Sequence, residues 1–173
     1  MRRGSVLTSL MLLPLIAGCA RVSVLPDAIA ARVDPDLTFS QLQASPDSYK
    51  GHLVVLGGEV LRVTPAKGGS WIEVLHLPLD SWNIPKAERT ASEGRFFAFR
   101  KGALDPAVLE GRMPVTIIGE VAGAATRSLG GSNTVLPLLR VESLTAWEKR
   151  PTAASRWDKP PYAPYRFFLL SSN

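Results

Sequence analysis

The chain has one cysteine and two histidines in 173 residues, and each scarcity excludes a kind of chemistry. A single thiol, Cys19, cannot close a disulfide within the chain, so the fold must rest on burial and hydrogen bonding. Histidine occurs only at positions 52 and 76, and neither G-x-S-x-G nor H-E-x-x-H occurs, so the common serine- and zinc-hydrolase signatures are missing. No metal site and no cofactor are expected, because nothing in the spacing brings His52, His76 and a carboxylate such as Glu73 to one face. Long apolar runs are also lacking. The longest near the start, Val6 to Ile16, is about 11 residues, against the roughly 20 that cross a bilayer as a helix.

What is present at that end is specific. Two arginines (Arg2, Arg3) precede the apolar stretch, giving the cationic start and short greasy middle of a secretory signal. The run then closes on Ile16-Ala17-Gly18-Cys19, which resembles the bacterial lipobox. Small residues at Ala17 and Gly18 suit cleavage between Gly18 and Cys19, and the thiol is the nucleophile that takes diacylglycerol. Residues 1–18 are therefore expected to be a lipoprotein signal peptide, with Cys19 lipidated and N-acylated. Each buried methylene contributes about 0.8 kcal/mol, so two or three acyl chains anchor a protein durably.

Charge of one sign is scarce where a nucleic-acid surface would need it. The net charge of +5 divides into +2 from the leader and +3 from Glu148 to Asn173, while Cys19 to Trp147 holds thirteen basic and thirteen acidic residues. A neutral core lacks the compositional bias of a phosphate-binding domain, and no nucleic-acid partner is expected.

Residues 19–37 carry Pro26 and Pro35 without a clear period and read as an extended tether. Residues 38–149 read as one domain. Thr38 is a cap for a short helix that buries Phe39 and Leu42 and is limited by Pro46. Strand patterns follow at Leu53–Val63, with a bulge or bend expected at Gly57-Gly58, and at Trp71–Leu77, Arg95–Lys101, Pro114–Ala122 and Thr134–Trp147, the last broken at Pro137. Pro78 to Gly94 is a long polar connection, Asp105 to Leu109 a brief helix, and Gly123 to Asn133 a Gly/Ser-rich loop. Glu59, Glu73 and Glu120 fall in strands and are expected on their solvent side. Three strands, a short helical segment and two more strands describe a mainly β fold. The expected form is a small five-stranded, OB-like, partly open barrel with one or two short helices. An immunoglobulin-like sandwich would need about seven strands.

Several segments together resemble the Slp family of starvation-inducible outer-membrane lipoproteins. They are Tyr49-Lys50-Gly51, VLGGEVL at Val55–Leu61, EVLHLPLD at Glu73–Asp80, SEGRFFAF at Ser92–Phe99, LDPAVLEGRMPVTIIGEVAG at Leu104–Gly123 and LPLLRVESLTAW at Leu136–Trp147. The sequence departs from the family at Asn133-Thr134-Val135, where a tyrosine is usual. The resemblance implies a non-enzymatic, lipid-anchored envelope protein with a role in envelope stress or stationary-phase adaptation to starvation or acid. Ala20 and Arg21 follow the cysteine without the aspartate that retains lipoproteins in the inner membrane. The expected location is therefore the outer membrane, facing the periplasm. Expected partners are outer-membrane lipid, through the acylated N-terminus, and the lipoprotein processing and sorting machinery.

The alternative is a periplasmic OB-like module that binds a glycan, a peptidoglycan fragment or an envelope protein. Glu93 and Arg95, in Ser92-Glu93-Gly94-Arg95, are its candidate ligand face, set against a structural role in which Arg95 pairs with a nearby acid. Residues 150–173 form a proline- and aromatic-rich basic tail with Trp157, Tyr162, Tyr165, Phe167 and Phe168. It reads as a solvated tail, as a contact with an anionic surface or protein, or as an added strand at RFFLL.

Overall fold

The computed structural model describes residues 27–105, 109, 112–129, 132–147 and 168–171. Six strands follow two short helices, α1 (Asp27–Ala30) and α2 (Phe39–Ala44). The strands are β1 (Leu53–Ala66), β2 (Gly69–His76), β3 (Arg95–Lys101), β4 (Pro114–Leu129), β5 (Ser132–Ala146) and β6 (Phe168–Ser171). The sheet order is β3-β2-β1-β4-β5-β6, and β3 also pairs with β5. That parallel pairing, Phe97↔Leu138 to Phe99↔Arg140, closes the first five strands into a barrel. The fold is the expected mainly β, five-stranded one, with its seam closed.

Alternation fills the interior. Ile72, Val74, Phe96, Ala98, Val115, Ile117, Val121, Leu139 and Leu144 are fully buried. On β2 this settles which side faces in: Ile72, Val74 and His76 are buried, while Trp71 and Leu75 are half-buried on the outside. Strict alternation fails at three bulges, and two of them explain an apolar spacing that period two cannot. Leu61 is the extra residue between Val60 and Arg62, which lets both Val60 and Val63 enter the core. Glu142 does the same between Val141 and Leu144, and Ala122 lies between Val121 and Gly123.

The irregularity in β1 is therefore at Leu61 and not at Gly57-Gly58. The two glycines serve close approach instead. A Cβ on Gly58 would fall on the Val74 side chain and the Leu75 carbonyl, and one on Gly57 on the Leu79 side chain and the Leu77 carbonyl.

Helix α2 begins at a capping box. The Gln41 amide donates to Thr38 Oγ1 at 3.3 Å, and the Thr38 amide donates to Gln41 Oε1 at 2.9 Å. Its apolar residues Phe39 and Leu42 join the barrel core, with Leu37 and Tyr49 packed beside them. Pro46 opens a 3-10 turn, as its fixed φ allows. Of the brief helix expected at Asp105–Leu109, residues 106–108 lie outside the described residues, but Leu109 is fully buried in the core.

The loop expected at Gly123–Asn133 is instead a paired hairpin. The ladder of β4 with β5 runs from Gly123↔Leu138 to Leu129↔Ser132. Strand β5 also continues through Pro137, which pairs with Ala124. Pro137 stands one residue outside the ladder with β3, so its missing N–H removes no pairing on that side.

Two coverings decorate the barrel's exterior. Residues 27–37, part of the sequence's expected tether, are held along β1. Val33 bridges Leu53 in parallel, and the Asp34 amide donates to the Leu53 carbonyl at 2.9 Å. The connection from Pro78 to Gly94 is ordered by Asp80, whose Oδ1 accepts from the amides of Trp82 and Ile84 at 2.8 and 3.0 Å. It is fixed to the barrel by Thr116, whose hydroxyl donates to the Asn83 carbonyl at 2.6 Å. The same oxygen accepts from the Trp147 indole N–H at 2.9 Å.

Candidate functional site

Gly18 and Cys19 lie outside the described residues. Glu93 and Arg95 are described, and each already has its own partner. Glu93 Oε2 accepts from Ser40 Oγ at 2.6 Å, tying the approach to β3 onto α2. Arg95 Nη1 donates to Glu73 Oε1 at 2.8 Å across the β2–β3 pair. Gly94 between them has a φ of 145°, a conformation that favours glycine.

The strand carboxylates do not simply face solvent. Glu73 is buried beneath Arg95, and Glu59 is buried with Arg89 Nε and Arg112 Nε at 3.6 and 3.9 Å from Oε1. The reason is the long connection, which brings Arg89 over the outer face of β1. Glu120 stays partly exposed and accepts from Arg140 Nη1 at 2.8 Å.

The histidines are far apart in role. His52 Nδ1 is 2.8 Å from Asp34 Oδ2, and this hydrogen bond, followed by that from the Asp36 amide, holds the Asp34 carboxyl below the usual range. His76 stacks on Phe39 with centroids 4.0 Å apart and rings tilted by 6°. Burial lowers its pKa, while the charge of Glu93 pulls the other way. Among the described residues no three His, Cys, Asp or Glu side chains gather as a metal centre requires.

The register assembles a different site. Trp71 pairs with Phe99, Phe99 with Arg140, Arg140 with Glu120, and Glu120 with Leu53. One row thus crosses the outer face of all five barrel strands, from aromatic to ion pair to apolar. Trp71 packs edge-on to Phe99 and Phe97, with centroids 5.3 and 6.2 Å apart. Two open clefts flank the row. One, of about 410 Å³, is lined by Arg32, Asp34, Gly51, His52 and Leu53. The other, of about 370 Å³, is lined by Lys101, Glu120, Arg140, Val141 and Glu142. An ion pair of 3.2 Å between Arg32 and Glu142 joins them.

Charges of both signs alternate along this surface, so it suits a neutral or zwitterionic polar ligand better than a polyanion. Sequence reasoning missed these residues because their partners are remote. Arg32 and Glu142 are 110 positions apart, and no local motif encodes that meeting.

The closed five-stranded barrel, with its two short helices, defines a small OB-like β-barrel protein. The chain belongs to the outer membrane lipoprotein Slp family, whose model matches residues 16–170. Among its relatives are two proteins of Escherichia coli strain K12. The lipoprotein YeaY is 29% identical over 134 residues, covering 77% of this chain and 67% of that one. The outer membrane protein Slp is 32% identical over 125 residues, covering 71% of this chain and 63% of that one. A protein of Haemophilus influenzae is 27% identical over 123 residues, 70% of this chain and 64% of its own length. The chain thus spans about two-thirds of the length of the curated relatives it matches. No solved structure matches it.

Proposed function

We propose that this chain is a non-enzymatic lipoprotein tied to the outer membrane through acylated Cys19. Its barrel faces the periplasm and serves the envelope in starvation or acid stress. The observation that carries the non-enzymatic reading is the state of its strand carboxylates: Glu59, Glu73 and Glu120 each lie against an arginine. A carboxylate committed to an ion pair within the barrel wall serves the wall's own bonding, which supports a structural role for these three side chains.

Cys19→Ser tests the anchor. In cell fractionation it should move the protein from the membrane pellet to the soluble fraction, and retention in the pellet would contradict the reading. Survival of a deletion strain through starvation and acid challenge tests the physiological part, and unchanged survival in both would refute it.

The row from Trp71 to Glu120 favours a second reading, a binding module for a glycan or peptidoglycan fragment. Aromatic faces stack on sugar rings while ion-paired side chains supply hydrogen bonds at their edge. Titrating soluble muropeptides onto the Cys19→Ser chain should give saturable binding. Trp71→Ala or Arg140→Ala should weaken it about tenfold, the loss of roughly 1.4 kcal/mol. Binding that ignores both substitutions would rule this row out.

A further inference from the structure

One arginine lies on the inside of the barrel. Phe96, Ala98 and Arg100 share the inner face of β3, opposite Val74, Ile72 and Ser70 of β2. Arg100 is only 8% exposed, and among the described residues it is the only buried lysine or arginine. Its Nε is enclosed and has no hydrogen-bond partner. No described carboxylate lies within ion-pair distance of its guanidinium, whereas Glu59, Glu73 and Glu120 are all taken by arginines of the outer face. Burying a charge without a partner is costly, and a guanidinium does not escape that cost by losing its proton.

The residue directly opposite has the same deficit. Ser70 pairs with Arg100 beside the turn that joins β1 to β2, and it is 0% exposed. Directly paired side chains share a face, with Cβ atoms about 4.5–5.5 Å apart. Ser70 Oγ accepts from the Leu104 amide at 3.1 Å, which leaves its own O–H to donate. Two buried donors therefore stand side by side with no acceptor among the described residues. Trp71 and Phe99, the next pair in register, face outward, so this position is separate from the outer row.

From this shared lack of an acceptor we infer that Arg100 and Ser70 form a binding site for a carboxylate. The edge of a guanidinium presents parallel N–H donors that match the two oxygens of a carboxylate, and the serine hydroxyl adds a further bond. One buried positive charge balances one negative charge. A phosphate group carries about −1.5 to −2 at pH 7, and no second buried lysine or arginine offsets the excess among the described residues. The next inward pair, Ile72 with Ala98, is apolar and fully buried, so the core beneath holds no room for a ligand's body. The ligand enters by its carboxylate and keeps the rest outside, as a small organic acid or the free C-terminus of a peptide does.

The full-length Cys19→Ser chain is melted at pH 7 in acetate, phosphate and chloride of equal ionic strength, and with acetyl-dialanine against its C-terminal amide. Acetate should raise Tm by roughly 2–4 °C at about five times its Kd, and the amide should do nothing. Arg100→Met should abolish the rise and, with an unpaired buried charge removed, melt no lower than the parent in chloride. Ser70→Ala keeps the charge and should raise the acetate needed about fivefold, while Trp71→Ala should leave the response intact. Acetyl-dialanine acting at lower concentration than acetate assigns the site to a peptide end, and acetate acting alone assigns it to a small acid. Melting that follows ionic strength only, or an acetate response that survives Arg100→Met, would overturn the site. Phosphate as effective as acetate would overturn the choice of a carboxylate. A large drop in Tm for Arg100→Met with no anion effect on the parent would show that the guanidinium serves the fold instead.

Discussion

Replacing Thr116 by valine removes one hydroxyl and nothing of shape, yet that oxygen makes two buried connections. It donates to the Asn83 carbonyl at 2.6 Å, holding the long connection against the barrel, and accepts from the Trp147 indole at 2.9 Å, holding the end of β5. Thr116 is 1% exposed and Trp147 6%, so water cannot readily replace either bond. At about 1 kcal/mol for each bond, the substitution should cost about 2 kcal/mol. For a chain of this size that lowers Tm by roughly 4–8 °C. Thermal melting followed by circular dichroism reads the shift, and urea titration supplies the free energy independently. Thr116→Ser keeps the oxygen and should recover most of the loss. A valine variant melting with the parent, or a serine variant as weak as valine, would refute the claim that this hydroxyl fastens the connection.

Three further outcomes test the packing. Phe39→Ala should cost about 3–5 kcal/mol in urea unfolding, because a ring packed against His76 and Phe96 in the core leaves a cavity; a loss below 1 kcal/mol would mean α2 does not plug the barrel. Gly58→Ala should destabilise by about 1–3 kcal/mol through forced separation from β2, and an unchanged denaturation midpoint would disprove the close approach. Burial depresses the His76 pKa in the fold, so the unfolded chain binds the extra proton first. Stability from this group is present above the unfolded histidine value of about 6.5 and is lost as pH falls toward the folded one. Tm measured from pH 8 to 5 should therefore drop in a manner that His76→Phe reduces, and identical pH profiles for the two proteins would refute the assignment.

Much of the barrel was legible because strand patterns and caps are local. The bounds of β3 agree with the sequence reading at both ends, and Thr38 caps its helix as its side chain and the following Gln41 allow. The failures share a cause. Gly57-Gly58 resembles a bend when only its own strand is considered, but the need for glycine there comes from Val74, Leu75, Leu77 and Leu79 on other segments. Gly123 to Asn133 looked like a loop because glycine and serine have weak strand preference, and the pairing of β4 with β5 overrides it. A proline within a strand predicts a break, and the place of Pro137 just outside the β3 ladder spares β5 that effect.

By itself the sequence determined a short apolar run ending at a lone cysteine, a core without net charge and five strands of mainly β character, because each depends on neighbouring residues. Tertiary structure alone decided which face of β2 is buried, which arginine meets each carboxylate, and how Trp71, Phe99, Arg140 and Glu120 form one row. Those outcomes follow from strand register, which is fixed only when bulges and distant partners are packed together.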